Sequence, residues 1–357
     1  MKITFLTKAI DNVGGTERVT IVLANEFVRR GYEVHIVSLV GNNKPFFQPL
    51  EQVRLHYVHK GNDNSIFPYR DVRRLFLLSR LFSKITPDLL IVVDASRALM
   101  RIPAYLPYKT IYWEHFNTFV PQESRFMQRL SRRIVAKKGA MVVTLTQRDA
   151  EGYRLRYGAE NVLCIPNPVS FEVPEYKFPQ THIVVAVGRY TAQKGFDLLI
   201  KAWARIEDKS DWKLHIVGKG KWKRKLQKMI DDSGLQESVM LMPPSDNIVD
   251  LFANSGIYAM TSRFEGLPLV LIEAQACALP AVSFDCETGP SEIIIDGTTG
   301  ILVKDGDIDA FASALNGLMM SEETRMEYSK ASFRHIKETF SLQNVADSWE
   351  RLFKKLS

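Results

Sequence analysis

Cysteine is scarce in this chain of 357 residues, and its three thiols lie far apart, at Cys164, Cys277 and Cys286. An odd number of widely spaced cysteines excludes a disulfide framework and lacks the spacing of a zinc site. Long apolar runs are also missing, and none approaches the length that a membrane-spanning helix needs. The apolar stretch within residues 1–15 is too short for a secretion signal and is typical of a strand. These absences predict a cytoplasmic protein with buried thiols.

Several ligand-binding signatures are absent as well. The turn after the first predicted strand contains Gly14 and Gly15 but no G-x-G-x-x-G, which disfavours a nicotinamide cofactor. No cluster of His and Asp suggests a bound metal, so we expect neither a cofactor nor an essential metal. No zinc pattern, aromatic RNA-binding signature or recognisable helix-turn-helix supports a nucleic-acid-binding protein. A nucleic-acid-binding function is suggested only by the positive charge of the first half.

Acidic residues are few in the first half. Residues 1–167 contain 25 Lys and Arg against 14 Asp and Glu, whereas residues 168–357 contain 22 against 26. The net charge of +7 therefore comes from the first half alone. Such asymmetry suggests that this half faces a polyanion or an anionic surface. The content of 46% hydrophobic residues is that of a globular protein, and the length predicts about two domains.

Short β-rich apolar runs alternate with helical patterns along the chain. In the first half the predicted strands span 2–7, 33–40, 88–93, 110–113 and 140–145. In the second half they span 182–187, 213–217, 239–242, 256–260 and 280–284. A helix is predicted from Thr16 to Arg30, with Gly31 as its C-terminal cap. Because strand–helix–strand alternation gives parallel sheets covered by helices, the sequence predicts two doubly wound α/β domains.

The join between the domains is predicted within residues 165–180, where four prolines stand in sixteen residues. We therefore assign 1–167 to an N-terminal domain and 168–338 to a C-terminal domain. Residues 339–357 are predicted to form a helix that packs back toward the N-terminal domain. The pattern leaves the oligomeric state open.

Ligands of open parallel sheets bind beyond the carboxyl ends of the strands, and glycines and cations follow several of those ends. Gly14 and Gly15 allow a ligand to approach the backbone before a helix N-terminus, although an ordinary turn explains them equally well. Arg189 and Lys194 follow the first strand of the second half. Two cations there suit a diphosphate better than two solvated surface charges. Gly218 follows the next strand.

Two glutamates stand eight residues apart in "SRFEGLPLVLIEAQA" (262–276). Glu265 is predicted in the loop after a strand, Pro268 at the start of a helix, and Glu273 more than one turn inside it. Both carboxylates can contact one elongated ligand and accept hydrogen bonds from its hydroxyls. The alternative is a capping Glu265 and a partly exposed Glu273. The backbone amides of Gly266, Leu269 and Val270, in the loop and the first helical turn, would point toward the same ligand.

Four motifs in this order resemble family 4 of the retaining glycosyltransferases. Along the chain they are "GGTERV" (14–19), "GRYTAQKGFD" (188–197), the E-x7-E pattern at Glu265 and Glu273, and "TGPSEII" (288–294). The resemblance covers nearly the whole chain. It implies the GT-B architecture, in which two Rossmann-like doubly wound parallel-sheet domains face each other across a cleft. In this architecture the N-terminal domain, 1–167, would bind the acceptor, and the C-terminal domain, 168–338, the nucleotide sugar.

The resemblance also implies roles for single residues. Glu265 would contact the transferred sugar, Glu273 the ribose, and Arg189 with Lys194 the diphosphate. His115 matches the family's histidine near the reacting sugar carbon, although a lone His is otherwise more often structural. The base would lie near Pro244, where two prolines replace the family's glycine-containing turn and remove two amide donors. The donor site implied in this way comprises Gly14, Gly15, Arg189, Lys194, Gly218, Pro244, Glu265, Gly266, Leu267, Leu269, Val270 and Glu273.

The predicted function is transfer of a hexose or N-acetylhexosamine from a nucleotide-diphosphate sugar to a lipid-linked or polymeric glycan. The "TGP" loop is similar to that of bacterial relatives that use UDP-sugars, so UDP or a UDP-sugar is the expected partner. A hydrolysing nucleotide-sugar epimerase on the same fold is an alternative, and a basic nucleic-acid-binding protein is a weaker one.

A basic helix in the first half predicts contact with the inner face of an anionic membrane. Residues 70–84 have helical periodicity, and five cations fall within a sector about 120° wide that also holds Leu77 and Leu81. These cations are Arg70, Arg73, Arg74, Arg80 and Lys84. The segment 125–138 adds six more: Arg125, Arg129, Arg132, Arg133, Lys137 and Lys138. Ordinary helices packed on one side and solvated on the other remain the alternative.

Overall fold

The chain divides into two compact units. The computed structural model describes residues 1–60, 69–94, 106–119 and 125–357. One unit consists of Met1–Ser170 with Leu342–Ser357, and the other of Phe171–Ser341. Each unit holds one parallel sheet covered by helices, so the predicted α/β class with two doubly wound domains is confirmed.

The first unit contains a seven-stranded sheet within the described residues. Its strands are β1 (Lys2–Thr7), β2 (Glu33–Gly41), β3 (Arg54–Lys60), β4 (Leu89–Val93), β5 (Lys109–Glu114), β6 (Met141–Thr144) and β7 (Val162–Cys164). They are arranged in the order β3-β2-β1-β4-β5-β6-β7, and every pair is parallel. The helices between them are α1 (Gly15–Arg29), α2 (Tyr69–Ile85), α3 (Arg125–Lys138) and α4 (Gln147–Tyr157).

The second unit repeats this plan with six parallel strands in the order β10-β9-β8-β11-β12-β13. They are β8 (Ile183–Val187), β9 (Lys213–Val217), β10 (Val239–Met242), β11 (Ile257–Met260), β12 (Ala281–Asp285) and β13 (Gly300–Lys304). The accompanying helices are α5 (Phe196–Arg205), α6 (Lys223–Asp232), α7 (Ile248–Ala253), α8 (Leu269–Ala276), α9 (Pro290–Ile293), α10 (Ile308–Met320) and α11 (Glu322–Thr339).

The central strands are apolar on both faces because helices cover both sides of each sheet. All five residues of β4 are buried, as are the last five of β1. The sequence-based assignment missed β3, β7 and β13, and each of these lies at the edge of a sheet. Edge strands are buried less completely, and the alternating "RLHYVHK" of β3 shows the polar content that hides such a strand.

The last helix, α12 (Leu342–Leu356), belongs to the first unit. Its aromatic residues pack edge-on against the core: the Phe353 and Phe27 ring centroids are 5.1 Å apart, and those of Trp349 and Trp113 are 5.3 Å apart. On the exposed side of the helix, Arg30 forms ion pairs with Asp347 at 2.6 Å and with Glu350 at 2.9 Å.

Both sheets reverse their strand order at one point, between β1 and β4 in the first unit and between β8 and β11 in the second. The loops after two such strands diverge and leave a crevice at the carboxyl edge, where ligands of this fold class bind. In the second unit these loops are 188–195 and 261–268. They contain Arg189, Lys194 and Glu265.

Candidate functional site

Lys194 and Glu265, predicted from separate motifs, form an ion pair at the switch point of the second unit. Lys194 Nζ lies 2.7 Å from Glu265 Oε1, and the two side chains are 15% and 9% exposed. Arg189, on the same loop as Lys194, is exposed. Lys194 is thus held against a carboxylate at the strand ends, whereas Arg189, on the same loop, is exposed to solvent.

The two loops are joined by backbone contacts that set this geometry. Arg263 N donates to Gln193 O at 2.8 Å, and Gln193 Nε2 donates to Phe264 O at 3.1 Å. Gly195 has φ +62°, and a Cβ at this position would lie 1.9 Å from Thr261 O. Only glycine therefore permits the turn that ends the Lys194 loop and begins α5.

A bidentate ion pair reinforces the same junction. Arg263 Nη1 donates to Asp197 Oδ1 at 2.9 Å and Arg263 Nη2 to Asp197 Oδ2 at 2.8 Å. Burial alone would raise the pKa of Asp197, but its hydrogen bonds and charge interaction with Arg263 outweigh burial and lower it. Neither residue was predicted as part of the site, although Asp197 ends the "GRYTAQKGFD" motif and Arg263 stands two residues before Glu265.

Glu273 lies on α8 and is 2% exposed, so the partly exposed side chain weighed as an alternative is excluded. Pro268 takes the capping position of α8 and Leu269 its first helical position, one residue later than predicted. The first amides of a helix have no partner within it, so the Leu269 and Val270 N–H groups are available at this edge. Among the flanking residues Leu267 is buried and Gly266 is half-buried.

The "TGP" loop supports the Glu265 turn from behind. Thr288 Oγ1 donates to the Glu265 carbonyl at 2.6 Å. Gly289 has φ +104°, and a Cβ there would lie 2.6 Å from both Gly266 O and Pro268 Cδ. The loop therefore positions the turn through contacts with its backbone.

Gly218 and Pro244 occupy the ends of neighbouring strands on the same edge of the sheet. Gly218 packs against the β8 loop so closely that a Cβ would lie 1.9 Å from Gly188 O, whereas Pro244 is exposed beyond β10. Tyr190, which was not predicted, connects these ends: its hydroxyl lies within hydrogen-bonding distance of two carbonyl oxygens, Ile216 O at 2.8 Å and Met242 O at 2.7 Å. Burial raises the pKa of Tyr190 to about 12, so this hydroxyl stays protonated.

In the first unit Gly14 caps α1 and Gly15 is its first residue, at the carboxyl edge of the first sheet. A Cβ on Gly14 would lie 2.4 Å from Glu17 Oε2, so glycine leaves room for that carboxylate. The preceding residues are held by Asp11, which accepts hydrogen bonds from the Tyr57 hydroxyl at 2.6 Å and the Asn42 amide at 2.5 Å. These contacts fix the start of the glycine loop.

His115 follows β5 at the same edge and is half-buried. Its ring lies against Trp113 with the centroids 4.3 Å apart, and its Nε2 is buried without a hydrogen-bond partner in the described parts of the chain. Burial lowers the pKa of His115 to about 3, so the imidazole is neutral at physiological pH.

A buried network supports the loop that begins at His115. Glu114 Oε2 accepts hydrogen bonds from Arg132 Nε at 2.9 Å and from the Tyr153 hydroxyl at 2.7 Å. Glu114 Oε1 accepts from the Phe116 amide at 3.1 Å. Arg132 was predicted as one of the surface cations of α3, and that prediction is wrong because its side chain is buried against Glu114.

The basic stripe of α2 also needs correction. Arg73, Arg80 and Lys84 are exposed, but Arg74 is only 7% exposed and faces inward. Leu77 and Leu81 are half-buried. The side chain of Arg70 lies outside the described residues.

The apolar side chains that α2 exposes are instead Leu75 and Phe76, at 40% and 65%. On α3, Phe126 is 76% exposed and Leu130 36%. The remaining described cations of that helix are exposed: Arg129, Arg133, Lys137 and Lys138. Both helices cover the same face of the sheet, because Leu78 and Phe82 of α2 share a buried cluster with Val135 of α3.

No described helix is long and apolar enough to span a bilayer. Nor do three or more His, Cys, Asp or Glu side chains of the described residues group as metal ligands. D-x-D spacing does occur at Asp305, Asp307 and Asp309, but Asp307 caps α10 by accepting from Ala310 N at 3.0 Å. Within the described residues none of the three cysteines forms a disulfide bond.

The sequence matches two family models that together extend over most of the chain. Glycosyltransferase Family 4 matches residues 13–173, and Glycosyl transferases group 1 matches residues 172–335. An uncharacterized glycosyltransferase of Haemophilus influenzae is 30% identical over 98% of this chain and 99% of its own. The chain belongs to the GT-B glycosyltransferases.

Other members of the group agree with this assignment. The amylovoran biosynthesis glycosyltransferase AmsD of Erwinia amylovora is 31% identical to the enzyme over 94% of each chain. A variant of S. aureus TarM, solved with fondaparinux, alpha-GlcNAc-glycerol and UDP, superposes with a TM-score of 0.82 at 18% identity, covering 99% of each chain. At that identity the second likeness shows the fold alone.

Proposed function

We propose that the enzyme is a retaining glycosyltransferase that uses a UDP-sugar donor to extend a cell-surface glycan. The observation that carries this proposal lies at the switch point of the second sheet, where Lys194 pairs with Glu265 on the turn that leads into α8 and Arg189 stands on the same loop as Lys194. A diphosphate needs cations and amide donors, and a sugar needs carboxylates that accept from its hydroxyls. All of these groups lie at one edge of one unit.

The donor diphosphate binds to Arg189, Lys194 and the first amides of α8. When the bond between the anomeric carbon and the phosphate oxygen breaks, the electron pair leaves with the nucleoside diphosphate. The added negative charge falls on oxygens that these cations contact. Electrostatic groups of this kind contribute on the order of a hundred- to a thousand-fold in rate each.

Glu265 contacts the hydroxyls of the transferred sugar, and Lys194 bridges its carboxylate to the diphosphate. A carboxylate fixed by such a pair accepts hydrogen bonds without moving, so the sugar is oriented as the bond breaks. Glu273, buried one turn deeper, accepts hydrogen bonds from the ribose. We further propose that an acceptor hydroxyl attacks the anomeric carbon on the face from which the diphosphate leaves and gives its proton to the departing phosphate oxygen, which retains the anomeric configuration.

His115 acts as a neutral hydrogen-bonding group toward the sugar or the acceptor. With a pKa of about 3 it carries no charge at physiological pH and supplies no electrostatic attraction to phosphate. Its buried Nε2 can instead exchange one hydrogen bond with a hydroxyl. The Glu114–Arg132–Tyr153 network holds the loop on which this ring stands.

The proposed acceptor is a lipid-linked or polymeric glycan. Support comes from AmsD, a relative that is a biosynthetic glycosyltransferase of the polysaccharide amylovoran. The UDP donor is supported by the TarM structure, which contains UDP.

A panel of nucleotide sugars tests the proposal. Thermal stabilisation by UDP-sugars selects the donor, because a ligand that binds the folded state raises the unfolding midpoint. Incubation with that donor and glycan acceptors should give an elongated product, whose anomeric configuration NMR compares with that of the donor. Free epimerised sugar without transfer would instead indicate a hydrolysing epimerase, and inversion would contradict the retaining mechanism.

A glutamate variant localises the chemistry. Glu265→Gln should keep the fold and lose at least about a hundredfold in turnover, because the isosteric amide no longer offers a charged acceptor. Glu237→Gln, an exposed glutamate of the same unit, is the matched control and should retain full turnover. Normal turnover of the folded Glu265 variant would remove this residue from the site.

We also infer that the first unit binds an anionic membrane through the α2–α3 patch, which we define as the exposed cations of α2 and α3 with Leu75, Phe76, Phe126 and Leu130. Among the residues of the two helices only Asp71 is acidic. Exposed aromatic and aliphatic side chains among cations suit the headgroup interface, where the rings insert and the cations meet anionic lipid. Such docking would bring a lipid-linked acceptor to the enzyme.

A further inference from the structure

A cationic segment, residues 219–228, follows β9 in the second unit and runs into α6. Six cations occupy these ten positions without one acidic residue: Lys219, Lys221, Lys223, Arg224, Lys225 and Lys228. All six are exposed. Within the described residues one ion pair involves them, between Lys228 and Asp232 at 3.4 Å. The segment thus presents a nearly uncompensated positive surface.

This arrangement works against the helix that carries it. The first turn of α6 contains Lys223, Arg224 and Lys225 and no acidic residue. Because a helix N-terminus carries partial positive charge, cations there are unfavourable, by about 0.3–1 kcal/mol each at low ionic strength. Arg224 and Lys228, four residues apart, add like-charge repulsion. Conflicts between a sequence and its local structure are concentrated at functional sites.

The segment is attached directly to the donor loop. Tyr190 N donates to Lys219 O at 2.9 Å, and Trp222 N donates to Tyr190 O at 3.1 Å. Gly220 permits this approach, since a Cβ on it would lie 2.5 Å from Tyr190 O. A partner bound along the cations would therefore lie next to Arg189, at the edge where the donor binds.

We propose that the cationic segment binds a negatively charged stretch of the glycan acceptor, bearing phosphate or carboxylate groups. This inference rests on the proposed function and specifies its acceptor as an anionic polymer. A ten-residue helix is about 15 Å long, so cations distributed along it and its preceding loop match successive charges of a chain better than a single phosphate.

The composition of the surface favours a soluble polymer over a bilayer or a nucleic acid. None of the large hydrophobic side chains of residues 219–228 is exposed, in contrast to Phe76 and Phe126 of the α2–α3 patch. Trp222, the aromatic residue of the segment, is half-buried and covered by Lys225, whose Nζ lies 3.6 Å from the ring centroid. Amphipathic helices that lie in a membrane interface insert apolar side chains, and proteins that bind single-stranded nucleic acids stack bases on open aromatic faces.

The test measures binding of a fluorescent poly(glycerol phosphate) oligomer and a carboxylated oligosaccharide to the full chain. The triple variant Lys223→Gln/Arg224→Gln/Lys225→Gln should weaken binding of both probes by about three- to a hundredfold, since each exposed charge pair contributes roughly 0.2–1 kcal/mol. Affinity should also fall with added salt. The control Lys201→Gln/Lys330→Gln/Lys337→Gln removes three exposed cations elsewhere in the same unit and should leave binding near that of the original chain.

Calorimetry with UDP separates this inference from the proposed function. Unchanged UDP affinity in the triple variant, together with lost polymer binding, supports the inference whether or not transfer is observed. Equal losses in the triple variant and its control would overturn it, because net charge alone would then explain binding. Equal or tighter binding of anionic vesicles or single-stranded RNA through these cations would overturn it as well, since the occupant would then not be a glycan.

Discussion

Arg263 and Asp197 form two hydrogen bonds of 2.9 Å and 2.8 Å across the junction of the two donor loops. Arg263 also donates to the Ala192 carbonyl at 2.7 Å. This pair, which we call the Arg263–Asp197 clamp, therefore ties the loop with Lys194 to the loop with Glu265. It touches none of the groups assigned to the donor, and so it acts by positioning.

A double-mutant cycle tests this positioning. Arg263→Ala, Asp197→Ala and the double variant should give a coupling of about 1 kcal/mol or more in the free energy of unfolding at pH 7. The exposed pair Arg205–Asp309 of the same unit serves as the control cycle and should give less, because solvent screens it. Each clamp variant should also weaken UDP binding, measured by calorimetry. Equal couplings in the two cycles would contradict a special role for the clamp.

The direction of the Asp197 pKa fixes the pH dependence of this coupling. Because its folded-state pKa is lowered, the contribution is fully present above the ordinary aspartate pKa of about 3.9. It is lost as the pH falls through the lower folded-state value. The coupling should therefore be the same at pH 7 and pH 5.

The two cations of the donor loop give a second prediction. Arg189→Ala and Lys194→Ala should each weaken UDP binding much more than uridine binding, because uridine lacks the diphosphate that these residues contact. Loss of one charge-assisted contact corresponds to roughly ten- to a hundredfold in affinity. Calorimetry with both ligands measures the difference, and Lys201→Ala is the matched exposed control. Equal losses for UDP and uridine would show that the two cations do not hold phosphate.

Much of this site could be predicted from sequence because its residues follow strongly apolar strands. Lys194 and Glu265 were placed at neighbouring strand ends by that reasoning, and β8 and β11 are indeed paired. The clamp residues escaped notice because a charged residue in a loop carries no sign of its partner 66 positions away. Tyr190 was missed for a similar reason, since the carbonyl oxygens near its hydroxyl belong to Ile216 and Met242, at the ends of other strands.

The surface of α2 shows where helical periodicity is insufficient. The helical periodicity of residues 70–84 placed Arg74 on the same face as the exposed cations, yet Arg74 is buried and Phe76 is exposed. Periodicity predicts which residues share a face, but it does not predict which face the neighbouring elements will cover. The buried Arg132 of α3 is a second example, because its ion-pair partner, Glu114 of β5, cannot be predicted from the local sequence pattern.

Metal chelation gives a third prediction. We expect transfer to persist in EDTA, because Arg189, Lys194 and the α8 amides stand where a metal would otherwise meet the diphosphate. The measurement is the initial rate with and without EDTA, followed by addition of magnesium or manganese. Complete loss on chelation, reversed by either metal, would contradict a metal-independent site and direct attention to Asp305 and Asp307.

His115 gives a fourth prediction, for stability at acidic pH. Its pKa of about 3 in the folded state lies below the ordinary value of about 6.5, so the unfolded chain takes up a proton first as the pH falls. The free energy of unfolding should therefore decrease from pH 6.5 downward, and His115→Gln should reduce that decrease. Denaturant titrations between pH 7 and pH 4 measure it, with the exposed His182→Gln as control. An unchanged pH dependence in the His115 variant would show that this ring is solvated.

The last prediction concerns the α2–α3 patch and its binding to vesicles. Flotation should need anionic lipid and fall with added salt, because the exposed cations interact with the headgroups through screened charges. Arg73→Gln/Arg80→Gln/Lys84→Gln should weaken binding on the order of a hundredfold, at about 1 kcal/mol for each cation near the surface. Phe76→Ser/Phe126→Ser should weaken it without changing its salt dependence, since the rings contribute by insertion and carry no charge.

The matched control is Arg351→Gln/Lys354→Gln/Lys355→Gln on α12, which removes three exposed cations from the same unit. It should float like the original chain, because these positions lie outside the patch. Flotation that is equal with neutral and anionic vesicles, or that drops as far in the α12 control as in the α2 variant, would contradict docking through α2 and α3. Absence of binding to anionic vesicles would indicate an acceptor that reaches the enzyme from solution.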